Sequence, residues 1–225
     1  NDKVFVVDQG NNRVLIWNSL PRDSGQPADV VIGQKDFVSR SPNMGKGEGR
    51  ASQESMYFPN DVVAGKTGFF VSDTGNNRVL YWKEVPTENG QPADMVLGQA
   101  NFFDNRHNRN GQANATTLND PYGLWLEEEE NPEWVPPEEN ALEETQEEET
   151  LDESSSGEGE DTVEEEIPEY LFKLFIADRG NSRVVVWNEL PIPPTHESES
   201  DEGDQIEIED PNLLIGDDDE EDEDD

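Results

Sequence analysis

A short segment occurs three times in this chain, and this repeat constrains the fold more than any other feature. Each copy has an apolar run that ends in aspartate, a turn rich in glycine and asparagine, an arginine, and a second apolar run that ends in tryptophan. The copies span residues 4–17, 68–82 and 174–187. Their tryptophans lie 65 and then 105 residues apart, and the extra length in the second interval is acidic. Self-similarity of this extent predicts a repeat architecture.

The repeat predicts four short strands per unit. In the second unit we expect strand a at 59–64, strand b at 69–73, strand c at 79–82 and strand d at 94–98. These stretches are rich in β-branched and aromatic residues, and the Gly-Asn-Asn turn between strands b and c accepts the positive φ angles of a tight reversal. A further strand a is predicted at 120–125. Tandem four-stranded units favour an all-β fold, a β-propeller.

Two motifs resemble a known family. The motif Asp-x-Gly-Asn-Asn-Arg-Val followed by an aromatic residue is similar to the NHL repeat. The motif Gly-Gln-x-Ala-Asp with a following hydrophobic-Gly-Gln, at 25–34 and again at 90–99, resembles the long bacterial version of that repeat. The resemblance implies a propeller that usually has six blades and serves mostly for binding. It implies no particular reaction.

The number of units is too small for a closed disc. Three blades are visible, and propellers need about four to eight. The chain starts at strand b of its first unit, with Asn1 rather than Met. We therefore expect either a fragment of a longer propeller or a half that forms a six-bladed ring as a homo-oligomer.

Two segments hold most of the acid. Residues 127–169 contain 21 Asp and Glu, residues 197–225 contain 17, and neither segment has a Lys or Arg. The rest of the chain has 16 acidic and 15 basic residues, so the net charge of −39 comes from these two segments. Like-charge blocks of this kind stay solvated and are predicted to be disordered.

Four regions follow from this composition. Residues 1–126 are predicted to form the first two blades and the first strand of the third, and residues 127–169 an acidic disordered insert. Residues 170–196 form the hairpin of the third blade, and residues 197–225 an acidic segment with a last strand at 212–216. Propeller connectivity sends both acidic segments out of one face. They serve either as a solubilising fringe or as weak ligands for Ca²⁺ or a basic partner.

The turn residues recur in every unit, which favours an architectural role over ligand binding. Each aspartate is expected to accept hydrogen bonds from the backbone of its turn, and each arginine to pair with a carboxylate or stack between blades. The residues concerned are Asp8, Arg13, Asp73, Arg78, Asp178 and Arg183.

The long loops that join strand d of one unit to strand a of the next, residues 35–57 and 100–119, are the predicted recognition surface. They are long, they differ in sequence, and they lie opposite the acidic segments. Rigid scaffolds commonly present binding residues on such loops. The predicted contacts, which could equally anchor the loops, are Phe37, Tyr57, Phe102, Phe103 and Arg106.

The sequence favours a non-catalytic module that binds a protein or a glycan, without a required cofactor. The lyases of this fold bind metal through several histidines, whereas this chain has only His107 and His196, both in polar loops. No nucleophile elbow, phosphate-binding loop or zinc motif is present. The alternative is a Ca²⁺-dependent propeller enzyme, lactonase-like or lyase-like, with carboxylates at the central channel.

Charge and hydropathy exclude other partners. A net charge of −39 disfavours nucleic acid, because phosphate contacts dominate such binding. No apolar run approaches the roughly 18 residues of a membrane helix, and no signal peptide is found. The chain has no cysteine, so it has neither disulfides nor thiolate metal sites. An extracellular or cell-surface location is expected from the family resemblance alone.

Overall fold

The structure is a computed structural model that describes residues 3–134 and 168–190. Within these residues the chain is all-β, with three antiparallel sheets joined by loops and short 3₁₀ turns. The predicted strand at 212–216, most of the insert at 127–169 and the segment at 197–225 lie outside the described residues. No helix of the described part is long and apolar enough to cross a membrane.

The first sheet has three strands in the order of the chain. They are β1 (Val4–Asp8), β2 (Arg13–Trp17) and β3 (Val30–Ile32). The second sheet has four strands, also in chain order: β4 (Pro59–Ala64), β5 (Phe69–Asp73), β6 (Arg78–Trp82) and β7 (Met95–Leu97). The four strands predicted for the second unit are therefore confirmed, to within one residue at each end.

The third sheet contains the longest strands. It consists of β8 (Pro121–Glu130), β9 (Tyr170–Asp178) and β10 (Arg183–Trp187). Strand β8 continues past the boundary predicted at residue 127, and Glu127–Glu130 pair with Tyr170–Lys173. The acidic insert thus begins as the end of a β-ladder, and its four glutamates pair with Lys173 and three apolar or aromatic residues of β9.

The turn between strands b and c of each unit (β1 and β2, β5 and β6, β9 and β10) has the same conformation in all three sheets. A 3₁₀ turn follows the aspartate and ends at a residue in the left-handed region, namely Asn12, Asn77 or Ser182, with φ between 52° and 55°. Asparagine tolerates this region better than most residues because its short side chain can bond locally. The predicted tight reversal is confirmed.

The three sheets stack face to face, and the second sheet lies in the middle. Every residue of β5 and β6 is buried, because alternate side chains enter two different cores. Phe69 and Trp82 join the core shared with the first sheet. Phe70 and Tyr81 join the core shared with the third sheet. Stacked sheets with interdigitated side chains form a stiff scaffold.

Candidate binding surface

The site is built from an ion pair that recurs in every unit. Arg78 Nε donates to Asp73 Oδ2 over 2.8 Å, and both side chains are fully buried. The equivalent pairs are Arg13 with Asp8 and Arg183 with Asp178. In each unit the aspartate ends strand b and the arginine begins strand c, so the ion pair joins the two strands at the base of the turn. Burial raises the pKa of Asp73, and Arg78, Asn76 and the Tyr57 N–H oppose that rise.

The arginine also ties two long loops to the sheet. Arg78 Nη1 donates to the Phe102 carbonyl of the loop that follows its own sheet. Its Nη2 donates to the carbonyls of Ser52 and Ser55, both at 2.9 Å, in the loop that precedes the sheet. A guanidinium has five N–H donors in a rigid fork, which lets one side chain order several segments.

The aspartate accepts hydrogen bonds from the backbone of the preceding loop and from side chains, not the backbone, of its own turn. Asp73 Oδ1 accepts from the backbone N–H of Tyr57 at 2.7 Å, and Oδ2 accepts from Asn76 and Arg78. The expectation that it would bond the backbone of its own turn was therefore wrong in detail. Asp178 bonds the N–H of Asn119 in the same way. In each case the carboxylate fixes the end of a loop just before the next strand begins.

The asparagine that ends each of the first two turns forms hydrogen bonds with the loop that leads to the next sheet. Asn12 Oδ1 accepts from the N–H of Phe58, and its amide donates to the carbonyl of Arg40. Asn77 likewise accepts from the N–H of Asp120 and donates to the carbonyl of Asn105. Polar side chains therefore connect the first and second sheets to the loops that lead away from them.

The two long loops share one backbone path despite their different sequences. Asn43 and Met44 lie in the left-handed region, and so do Asn108 and Arg109 at the equivalent positions. The N–H of Asn43 donates to the Met56 carbonyl, and that of Asn108 donates to the Leu118 carbonyl. The loops are thus part of the repeat itself, held by buried polar contacts.

Each loop presents one apolar side chain at an exposed tip. Asp36 Oδ1 accepts from the N–H groups of Val38 and Ser39, and Asn101 Oδ1 accepts from those of Phe103 and Asp104. These are side-chain-closed turns of the kind that aspartate and asparagine favour. The residue at the centre of each turn projects outward: Val38 is 89% exposed and Phe103 is 70% exposed.

The five predicted contact residues have different surroundings. Phe103 and Arg106 are exposed, and Phe37 is 41% exposed. Phe102 packs against the core between the first two sheets and so anchors its loop. Tyr57 is partly buried, and its hydroxyl donates to Glu48 at 2.9 Å. The structure brings these residues onto the loops and turns of one face, and the two loop tips consist of Val38, which sequence reasoning missed, and Phe103.

A cleft lies next to the turns, where the second and third sheets begin. It has a volume of about 320 Å³. The Arg179 guanidinium lies 4.4 Å from the ring centroid of Tyr122 and pairs with Asp120 at 2.5 Å. The cleft is lined by Gln9, Tyr57, Phe58, Thr74, Gly75, Asp120, Tyr122 and Arg179. This cleft has an aromatic wall and one cation that is already paired.

Sequence reasoning also missed the role of Glu128. Its carboxylate accepts from the N–H groups of Lys66 and Thr67 and from the Thr67 hydroxyl, at 2.6 to 3.0 Å. Burial by itself would raise the pKa of Glu128, but these hydrogen bonds and the charge of Lys66 outweigh it, so the pKa is lowered. Glu128 thus caps the loop between β4 and β5, and nothing in the run of four glutamates distinguishes it.

In the described residues no three His, Cys, Asp or Glu side chains cluster in a way that could hold a metal ion. Comparisons with known family models, with curated proteins and with solved structures find no match for this chain.

Proposed function

We propose that this chain is a non-catalytic interaction module, a section of an NHL-type β-propeller that binds a protein or a glycan through its long loops. The observation that carries the proposal is the pair of repeated loop tips. Val38 and Phe103 occupy equivalent positions and point into solvent, although their loops are fixed from below by buried hydrogen bonds. Exposed apolar side chains on a rigid support are typical of binding surfaces.

The stacking of the sheets supports the propeller. The strands of each sheet follow chain order, and neighbouring sheets pack face to face. Propeller blades have this strand order and this packing. In such an arrangement the loops 35–57 and 100–119 and the 3₁₀ turns lie on one face. In that arrangement the end of β8 at Glu130 and the start of β9 at Tyr170 lie on the other face.

The chemistry of the loop face suits a ligand with both apolar and polar parts. The aromatic ring of Phe103 offers a flat apolar contact, as protein hot spots and sugar rings require. Exposed cations lie on the same loops, at Lys46, Arg50 and Arg106. Fixed loops lose little conformational entropy on binding, which favours affinity.

The test is a screen of the full chain against a glycan array and a displayed peptide library, followed by titration of the best ligand. We expect Phe103→Ser to weaken binding at least tenfold, because hot-spot aromatics contribute about 2 kcal/mol or more. We expect Val38→Ser to weaken it less.

Leu20→Ser is the matched control. Leu20 is 64% exposed, close to the value for Phe103, but it lies in the connection between β2 and β3, away from the long loops. The proposal predicts unchanged affinity for this variant. Equal losses in both variants, or no ligand in either screen, would contradict the proposal.

A further inference from the structure

The contact between the first and second sheets and the contact between the second and third sheets are made by equivalent faces. In the second sheet, the face that contains Phe70 and Tyr81 packs against the third sheet, and the face that contains Phe69 and Trp82 packs against the first. We call these the leading face and the trailing face. Residues in the same repeat positions define the leading and trailing faces of the other two sheets. Both internal contacts therefore join a leading face to the trailing face of the next sheet.

The leading face of the third sheet is apolar and exposed. Val184 is 64% exposed, whereas its counterparts in the first two sheets, Val14 and Val79, are fully buried. Val186 is 49% exposed, and its counterparts Ile16 and Tyr81 are buried. Trp125 on β8 adds a 65% exposed aromatic ring to this face. The sequence thus keeps apolar residues at positions that the repeat elsewhere buries under a following sheet.

The trailing face of the first sheet is also apolar and partly exposed. Val6 is 43% exposed, whereas its counterparts Val71 and Ile176 are fully buried. Leu15 and Trp17 project from the same face and are only partly buried. Trp82, the counterpart of Trp17, is buried in the internal contact, where it meets Phe69 edge to face with ring centroids 5.7 Å apart.

We propose that these two faces bind each other between copies of this chain, head to tail. The leading face of one copy covers the trailing face of the next, as the same faces do within the chain. The contact is continuous with an interface that the chain already forms twice. Because the two faces differ, the contact is heterologous, and it closes into a ring or extends as a chain of subunits. The inference does not depend on which ligand the loops bind.

Charge opposes this assembly. The net charge is −39, and Glu127 and Glu129 lie at the end of the third sheet. Repulsion between copies is screened over about 10 Å at 0.1 M salt and over about 3 Å at 1 M. Self-association should therefore strengthen as salt is added. Salts such as sulfate also favour the burial of apolar surface. A contact made mainly of surface ion pairs would weaken instead.

The first test is light scattering on the full chain over a range of concentration and salt. We expect a mass at least twice that of one chain, with the assembled fraction rising with both variables. A single-chain mass under all conditions would overturn the proposal, and would mean that another segment or another protein covers these faces.

Two single-face variants test the geometry. Val186→Lys alters the leading face and Val6→Lys the trailing face, and both sites are exposed, so folding should be retained. Each variant alone should raise the dissociation constant of self-association at least tenfold. An equimolar mixture should form pairs but no larger assembly, because the intact leading face of the Val6→Lys chain can bind the intact trailing face of the Val186→Lys chain.

Other outcomes would reject head-to-tail binding. If only one of the two variants lost self-association, the contact would join identical faces. If the mixture stayed dissociated, the faces would not be partners. Val38→Lys, at a loop tip that is 89% exposed, is the control and should leave the mass unchanged.

Discussion

Arg78 and Asp73 form a fully buried ion pair, and the arginine donates four hydrogen bonds to protein oxygens. It donates to the carboxylate and to three carbonyls of the two long loops. Removing one partner of such a pair leaves a buried charge without compensation. The residue therefore controls both the stability of the middle sheet and the position of the loops.

We expect Arg78→Ala to lower the free energy of unfolding by about 3–5 kcal/mol. Arg13→Ala, in the equivalent but partly exposed pair, should lower it by about 1–2 kcal/mol. Urea denaturation followed by tryptophan fluorescence measures both. Equal losses in the two variants would show that burial of the ion pair does not determine its contribution to the free energy of unfolding.

A second prediction concerns the glycine of the turn. A Cβ atom on Gly75 would collide with the ring and the carbonyl of Tyr57, whereas one on Gly10 would meet nothing within 4 Å. Gly75→Ala should therefore destabilise the protein by about 1–3 kcal/mol through overpacking. Gly10→Ala should stay within about 0.5 kcal/mol of the parent. Thermal unfolding of the two variants measures both effects. A Gly75→Ala protein as stable as the parent would mean that the loop at Tyr57 does not pack against the turn.

At the scale of single elements, Glu128 shows how one acidic side chain becomes structural. Its hydrogen bonds join the extended strand β8 to the short connection between β4 and β5. Because the folded pKa is lowered, this contribution is complete above the ordinary pKa of glutamate. It is lost as the pH falls through the folded pKa.

We therefore expect Glu128→Gln to destabilise the protein at neutral pH by roughly 1 kcal/mol, a figure reduced for partial exposure. The difference from the parent should shrink at acidic pH, where Glu128 is protonated. Glu129→Gln, at an exposed position of the same strand, should have no such effect. Urea midpoints measured across pH test this, and a difference that persists at acidic pH would contradict it.

The strands of the second unit followed from the sequence because apolar alternation and turn residues mark their ends. The length of β8 did not follow, because four successive glutamates favour solvation and only their partners in β9 hold them in a ladder. The backbone conformation that the two long loops share could not be predicted from the sequence either. Their sequences differ, and the features they share, such as Asn43 and Asn108, are single residues whose partners lie far away in the chain.

The surface of the molecule could be predicted only in outline. Connectivity predicts the long loops on the face opposite the acidic connection, most of which lies outside the described residues, and the loop residues Phe103 and Arg106 are exposed. The sequence did not distinguish Phe102, which anchors its loop, from Phe103, which points outward. Asn101 Oδ1 closes this turn by accepting from the N–H groups of Phe103 and Asp104, and the two adjacent phenylalanines have different surroundings.

The long loops are fixed parts of a stacked all-β scaffold, and hydrogen exchange on the full chain can test this. We expect the N–H groups of Asn43, Tyr57 and Asn108, which all donate within the protein, to exchange as slowly as those of β5. Exchange of these loop amides at the rate of an unfolded chain, while β5 stays protected, would contradict it. The loops would then be mobile connections and could not serve as a preformed binding surface.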